Sequence, residues 1–239
     1  MAALISLLVV GYTGYCVWHI HSLAQLSRPA VAEAHAFERE EPSMPRRILI
    51  LGDSTAVGVG SPAALSVAGR LSNEFSASVE NYGKSGAVTA DLDGQINSAK
   101  KDRFDLILIQ IGANDVINFY SLKNSAKMLD AALIKLHSRA DRIAILTAGN
   151  IGNAPLFPWP VSWAMTYRTQ ILRELFMATA EKNDAVYVDI FSQPDIFPSN
   201  PSKYYAPDML HPSGEGYGYW FSIVKKYVEK KWPELATNK

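Results

Sequence analysis

Short, largely apolar segments recur along this chain with helix-length stretches between them, and that alternation constrains the fold more than any single motif. Ile48–Leu51, Val79–Tyr82, Leu106–Ile111, Ile143–Thr147 and Ala185–Ile190 have the length and composition of buried strands. Helices are expected over about 63–76, 91–100, 122–136, 163–182 and 213–231. The segment around 122–136 is the most periodic: Leu122, Ala126, Leu129, Leu133 and Leu136 share one face, with Lys123, Lys127, Asp130 and Lys135 between them. Strands alternating with helices predict a five-stranded parallel sheet covered on both faces, a three-layer α/β/α sandwich. With 48% hydrophobic and 19% charged residues, the chain is too apolar to remain disordered.

The first twenty residues form a separate object. Ala2 to Trp18 carries no charged side chain, and none appears until Arg28. At about 1.5 Å per residue such a helix approaches the ~30 Å hydrocarbon core of a bilayer. Residues 1–20 are therefore expected to be a transmembrane anchor or signal segment, 21–45 a linker, and 46–239 the globular domain. Ala30-Val31-Ala32 has the small-x-small form of a signal peptidase site. The apolar run is long for a signal and lacks a basic n-region, which favours an uncleaved anchor. The expected placement is a membrane-anchored protein with an extracytoplasmic domain, although Arg28, Arg46 and Arg47 would pull the C-terminal side inward.

In open parallel sheets, ligands bind beyond the carboxyl ends of the strands. Gly52-Asp53-Ser54-Thr55 follows the first strand, Asn81-Tyr82-Gly83-Lys84-Ser85-Gly86 the second, and Gly112-Ala113-Asn114-Asp115 the third. Asp208-Met209-Leu210-His211 precedes the last helix. A serine hydroxyl is a weak nucleophile that needs an adjacent base, and that base needs a carboxylate to orient it. His19, His21 and His35 lie in the anchor and linker, and His137 closes an amphipathic helix, which leaves His211 as the candidate base. Asp208 and Asp189 are rival acids for it, and Gly83 and Gly86 are rival glycines. Ser54 and Thr55 could instead serve only as helix caps. A formal net charge of zero argues against nucleic acid as a partner, and a single Cys excludes an intrachain disulfide or a Cys-rich metal site.

The blocks GDST at 52–55, Gly86, GAND at 112–115 and DMLH at 208–211 resemble, in this order, those of the SGNH (GDSL) hydrolase superfamily. The stretch RILILGDSTAVGVG is similar to that of small bacterial esterase and lysophospholipase-like members. Thr55 departs from the usual GDSL tetrad but leaves the serine in place. The resemblance implies a flavodoxin-like sandwich with Ser54 as nucleophile, His211 as general base and Asp208 as its orienting acid. It also implies an oxyanion hole formed by the N–H groups of Ser54 and Gly86 and the side-chain amide of Asn114. The implied activity is a serine ester hydrolase acting on acyl or acetyl esters, with lipid-like substrates favoured and no cofactor or metal.

The aromatic segment Leu156–Trp163 and Phe119-Tyr120 are candidates for an apolar acyl pocket, with Trp159, Trp163 and Phe119 as the expected lining residues. Two other readings compete: an acyltransferase using the same triad, and a non-catalytic module whose GDST turn holds a phosphate at a helix N-terminus. No Gly-x-Ser-x-Gly elbow, P-loop, HExxH or GxGxxG is present.

Overall fold

The computed structural model describes residues 2–235. Its elements in chain order are α1 (Ala2–Glu33), β1 (Arg46–Gly52), α2 (Ser54–Val57), α3 (Val67–Phe75), β2 (Ala77–Asn81), α4 (Leu92–Ser98) and β3 (Leu106–Gln110). They continue as α5 (Ala113–Ile117), α6 (Leu122–Leu136), β4 (Ile143–Leu146), α7 (Val161–Lys182), β5 (Val186–Val188), α8 (Pro201–Tyr204) and α9 (Gly214–Lys231). All five strands pair in parallel, in the order β2-β1-β3-β4-β5. Parallel strands buried on both faces need continuous apolar runs. Leu106–Ile109 and Ile143–Leu146 supply them, every side chain at most 1% exposed. Helices α3 and α9 pack together on one face of the sheet, and α4, α6 and α7 form the layer on the other. The architecture is the expected α/β/α sandwich.

The strand order places the site. The chain leaves β1 toward β2 on one side and returns to β3 on the other, so neighbouring crossovers diverge at the carboxyl ends of β1 and β3 and open a crevice there. Gly52 ends β1 at that point with φ +141°, and a Cβ on it would lie 1.8 Å from the Gln110 carbonyl oxygen. Only glycine lets β1 and β3 close so tightly just before the chain turns into Ser54. The Gln95 side chain clamps the same residue, accepting from the Gly52 N–H at 2.7 Å and donating to its carbonyl at 2.9 Å.

The expected linker does not begin at residue 21. Helix α1 continues through Pro29 to Glu33. A proline costs a helix one hydrogen bond and some crowding. Here tertiary contacts offset that cost: Ile20 and Leu23 pack against the domain core, and His19 Nε2 lies 2.8 Å from the Pro155 carbonyl oxygen. The segment after α1 is extended, and Arg39 bridges antiparallel to Val79 on the outer edge of β2. Local composition signalled a linker; docking on the domain overrode it. Helix α1 remains long and apolar enough to cross a membrane.

Candidate active site

Ser54 opens α2, a single turn that starts where β1 ends. Asp53 caps that turn, with its Oδ1 accepting from the Thr55 N–H at 2.9 Å and the Thr55 hydroxyl at 2.8 Å. The Asn81 side chain, from the end of β2, donates to the Ala56 carbonyl at 2.8 Å and holds the turn from the other side. Gly60 lets the following loop approach the His211 loop, since a Cβ there would lie 2.6 Å from the Pro212 carbonyl oxygen. Tyr217 of α9 donates to the Val59 carbonyl at 2.9 Å.

These contacts bring together residues 157 positions apart. Ser54 Oγ lies 2.9 Å from His211 Nε2, and His211 Nδ1 lies 2.6 Å from Asp208 Oδ2. Asp208 Oδ1 accepts from the backbone N–H groups of Leu210 at 3.1 Å and His211 at 3.0 Å, which fixes the carboxylate in its own loop. All three side chains are buried: Asp208 is 1% exposed, His211 8% and Ser54 9%. Burial alone would push the Asp208 carboxyl up, but the hydrogen bond and charge of His211, with the two N–H donors, hold it down at about 2. It is ionised throughout the neutral range and accepts the Nδ1 proton, leaving Nε2 free to accept from the serine.

Asn114 stands at the start of α5, and its Nδ2 donates to the Ala87 carbonyl at 2.9 Å. One amide hydrogen fixes the side chain, and a second remains at the cavity that Asn114 lines. Gly86 has φ +82° and open space where a Cβ would stand. Among the described residues, neither the Ser54 nor the Gly86 backbone N–H meets a protein acceptor, and both residues line the same cavity. Unpartnered N–H groups on the wall of a cavity that also holds a hydroxyl are the type of donor an oxyanion requires.

The rivals separate cleanly. Asp189 binds Arg173 in a two-pronged pair, Nε to Oδ1 at 2.8 Å and Nη2 to Oδ2 at 2.5 Å, so its carboxylate is committed elsewhere. Burial raises its carboxyl, and the hydrogen bonds from Arg173 and Ser192 bring it below the ordinary value. Gly83 packs against the Ser54 turn, where a Cβ would lie 2.8 Å from Ala56 Cβ. Asp115 holds loops together, accepting from the Thr89 N–H and hydroxyl at 3.0 Å each and the Ser125 hydroxyl at 2.5 Å.

The cavity beside Ser54 has a volume of about 330 Å³, within the range of ligand pockets. Its wall is chiefly apolar, built from Ile151, Ile190, Phe191, Phe197, Leu210 and Trp220. The expected aromatic lining is corrected here. Trp159, Trp163 and Phe119 are 67%, 67% and 62% exposed and do not line the cavity. Leu156 and Phe157 of the same segment turn into the core instead. Trp163 stacks on Tyr167 one turn along the outer face of α7, and Phe119 lies beneath the Arg168 guanidinium, 4.7 Å from ring centre to Cζ. Sequence reasoning missed Ile190 and Phe191, although they directly follow β5 at the active edge of the sheet. It also missed Ser27 and Val31, which reach the cavity from α1.

A parallel α/β/α sandwich with a hydroxyl–imidazole–carboxylate relay at its topological switch point has the architecture of the serine-dependent SGNH hydrolases. The chain belongs to the GDSL-like lipase/acylhydrolase family, whose model matches residues 50–219. It is thus a hydrolase of that family. No curated protein sequence matches it at a significant level. Among solved structures, an acetylxylan esterase from Geobacillus stearothermophilus superposes with a TM-score of 0.56 at 21% identity, covering 77% of this chain and 94% of that one. Phospholipase A1 from Streptomyces albidoflavus gives 0.61 at 17%, covering 76% and 99%. An alpha/beta hydrolase enzyme from the metagenome of Lake Arreo, Spain, gives 0.60 at 19%, covering 82% and 97%. At these identities the likeness is one of fold.

Proposed function

We propose that this hydrolase cleaves carboxylic esters through an acyl-enzyme on Ser54, with lipid-like acyl esters preferred over acetyl esters. The observation that carries the reading is the Ser54–His211–Asp208 relay opening into an apolar cavity beside unpartnered donors. Ser54 Oγ attacks the ester carbonyl carbon as its proton passes to His211 Nε2. The N–H groups of Ser54 and Gly86 and the Asn114 amide take the charge that develops on the carbonyl oxygen. The ester C–O bond breaks, and the imidazolium returns its proton to the leaving alkoxide. Water then repeats the sequence on the acyl-serine and releases the carboxylic acid. Asp208 stabilises the imidazolium in both halves. No step calls for a metal or cofactor.

The apolar wall supports an acyl chain, and the length and apolarity of α1 support placement at a membrane; we place the domain on its extracytoplasmic side. A p-nitrophenyl ester panel from acetate to laurate tests the chemistry. Turnover is expected to rise with chain length and to vanish in Ser54→Ala. Wild-type rates in that variant would refute the reading, and a preference for acetate would refute the substrate class.

A further inference from the structure

The active site is not confined to the sandwich. The Ser27 hydroxyl, on α1, donates to Asp208 Oδ2 at 2.9 Å, the same oxygen that takes the His211 Nδ1 proton. Asp208 thereby receives four donors, two on each oxygen, and three of them come from its own loop. One turn further, Val31 stands 36% exposed at the rim of the cavity that holds Ser54. The contact is not isolated. Tyr12, Cys16, Ile20, Leu23, Ser27 and Val31 recur at spacings of three or four, which places them on one stripe of the helix. Tyr12 donates to the Trp159 carbonyl at 2.7 Å, Cys16 Sγ lies 3.7 Å from the same oxygen, and Ile20 and Leu23 meet the core. Leu7 and Trp18, on the opposite side of the helix, are exposed. A helix serving only to hold a protein in lipid has no need of a serine hydroxyl aimed at a buried carboxylate.

We propose that α1 is a working part of the active site, in which Ser27 is a positioning residue for the Asp208–His211 pair and Val31 closes the acyl cavity. The inference rests on the ester-hydrolase reading above. Ser27 competes with His211 for one carboxylate oxygen and fixes where that oxygen stands, so its effect falls on the imidazolium-bearing transition state rather than on substrate binding. Cleavage at Ala30-Val31-Ala32 would remove Ser27 and uncover Asp208, so the working protein keeps the helix. The chain of a bound ester would pass between α1 and the loop after β5, which ties selectivity for longer acyl groups to Val31.

The test uses the full-length protein in detergent micelles, with p-nitrophenyl butyrate, acetate and laurate. Ser27→Ala is expected to lower kcat about tenfold with KM unchanged, the order expected for one hydrogen bond to a charged group. Ser27→Thr, which keeps the hydroxyl, restores kcat to within about threefold. Val31→Trp lowers kcat/KM for laurate relative to acetate about tenfold, the scale of a steric change in an apolar pocket. Mass spectrometry of protein recovered from host membranes finds residues 27–31 present. The proposal is overturned if Ser27→Ala keeps kcat within twofold, if Thr fails to rescue, if Val31→Trp leaves the laurate-to-acetate ratio unmoved, or if the recovered chain begins after residue 32. A parental melting temperature accompanies each variant, so that a general loss of folding is recognised and the remaining arms decide. Ser54→Ala separates the two levels. Ser54-dependent turnover with unmoved Ser27 and Val31 variants sinks this inference alone; no Ser54-dependent turnover of any ester sinks both.

Discussion

Replacing Asp53 by Asn isolates the electrostatic strain beneath Ser54. Asp53 is 1% exposed, and burial lifts its carboxyl from 3.8 to about 6, against the opposing pull of the Thr55 hydrogen bonds and His211 and with a further rise from Asp115. Between those values the folded protein holds a proton that the unfolded chain has released. The associated stability is therefore complete below pH 3.8 and is lost as pH rises through about 6. At about 1.36 kcal/mol per pH unit, the gap amounts to ~3 kcal/mol. Asn keeps the oxygen that accepts from Thr55 and cannot ionise. Asp208 does not interfere, because its depressed carboxyl gives up stability only as pH falls from 3.8 toward about 2. The assay is urea unfolding of parent and Asp53→Asn in the same detergent at pH 4 and pH 7.5. About 0.5 kcal/mol is already lost at pH 4, so the variant should gain ~2.5 kcal/mol relative to the parent between the two, or a melting difference of roughly 5–10 °C for a domain of this size. Taking the difference removes the other titrating groups. A change of less than about 1 kcal/mol would show that Asp53 is not a buried, strained carboxylate.

Two further outcomes follow from the site. Asn114→Ala should lower kcat by roughly 10²–10³-fold and raise KM far less, as loss of an oxyanion donor does; steady-state kinetics showing mainly a KM effect would contradict that role. Because Trp159 and Trp163 lie outside the cavity, their joint replacement by Ala should leave the ratio of laurate to acetate turnover within about twofold, and a collapse of that ratio would return them to the acyl site.

Much of the fold could be read before any coordinate was known, because its signals are local. Leu106–Ile109 and Ile143–Leu146 are uninterrupted apolar runs, which a strand buried on both faces demands, and the period of Leu122–Leu136 marks one wet and one dry helix face. The relay was legible for a different reason: GDST, GAND and DMLH are short patterns whose residue types fit one chemistry, and strand ends predict where they gather. Side-chain direction is not local. Trp159 and Trp163 have the composition of a pocket wall, yet the chain turns Leu156 and Phe157 inward and leaves both tryptophans outside. Asp189 and Asp208 are equally plausible acids by residue type, and only the position of Arg173 commits Asp189 elsewhere.

Sequence alone determined the alternation that builds a parallel sandwich, the apolar N-terminal helix and the reactive residue types, since each depends on near neighbours along the chain. Tertiary structure decided that Ser54 and His211 meet at 2.9 Å, that a Cβ at position 52 has no room, and that α1 runs on to Glu33 with Ser27 against Asp208. Those outcomes depend on how layers pack. A segment of Ser, Pro and charged residues reads as a linker until a folded surface offers it a buried carboxylate to donate to.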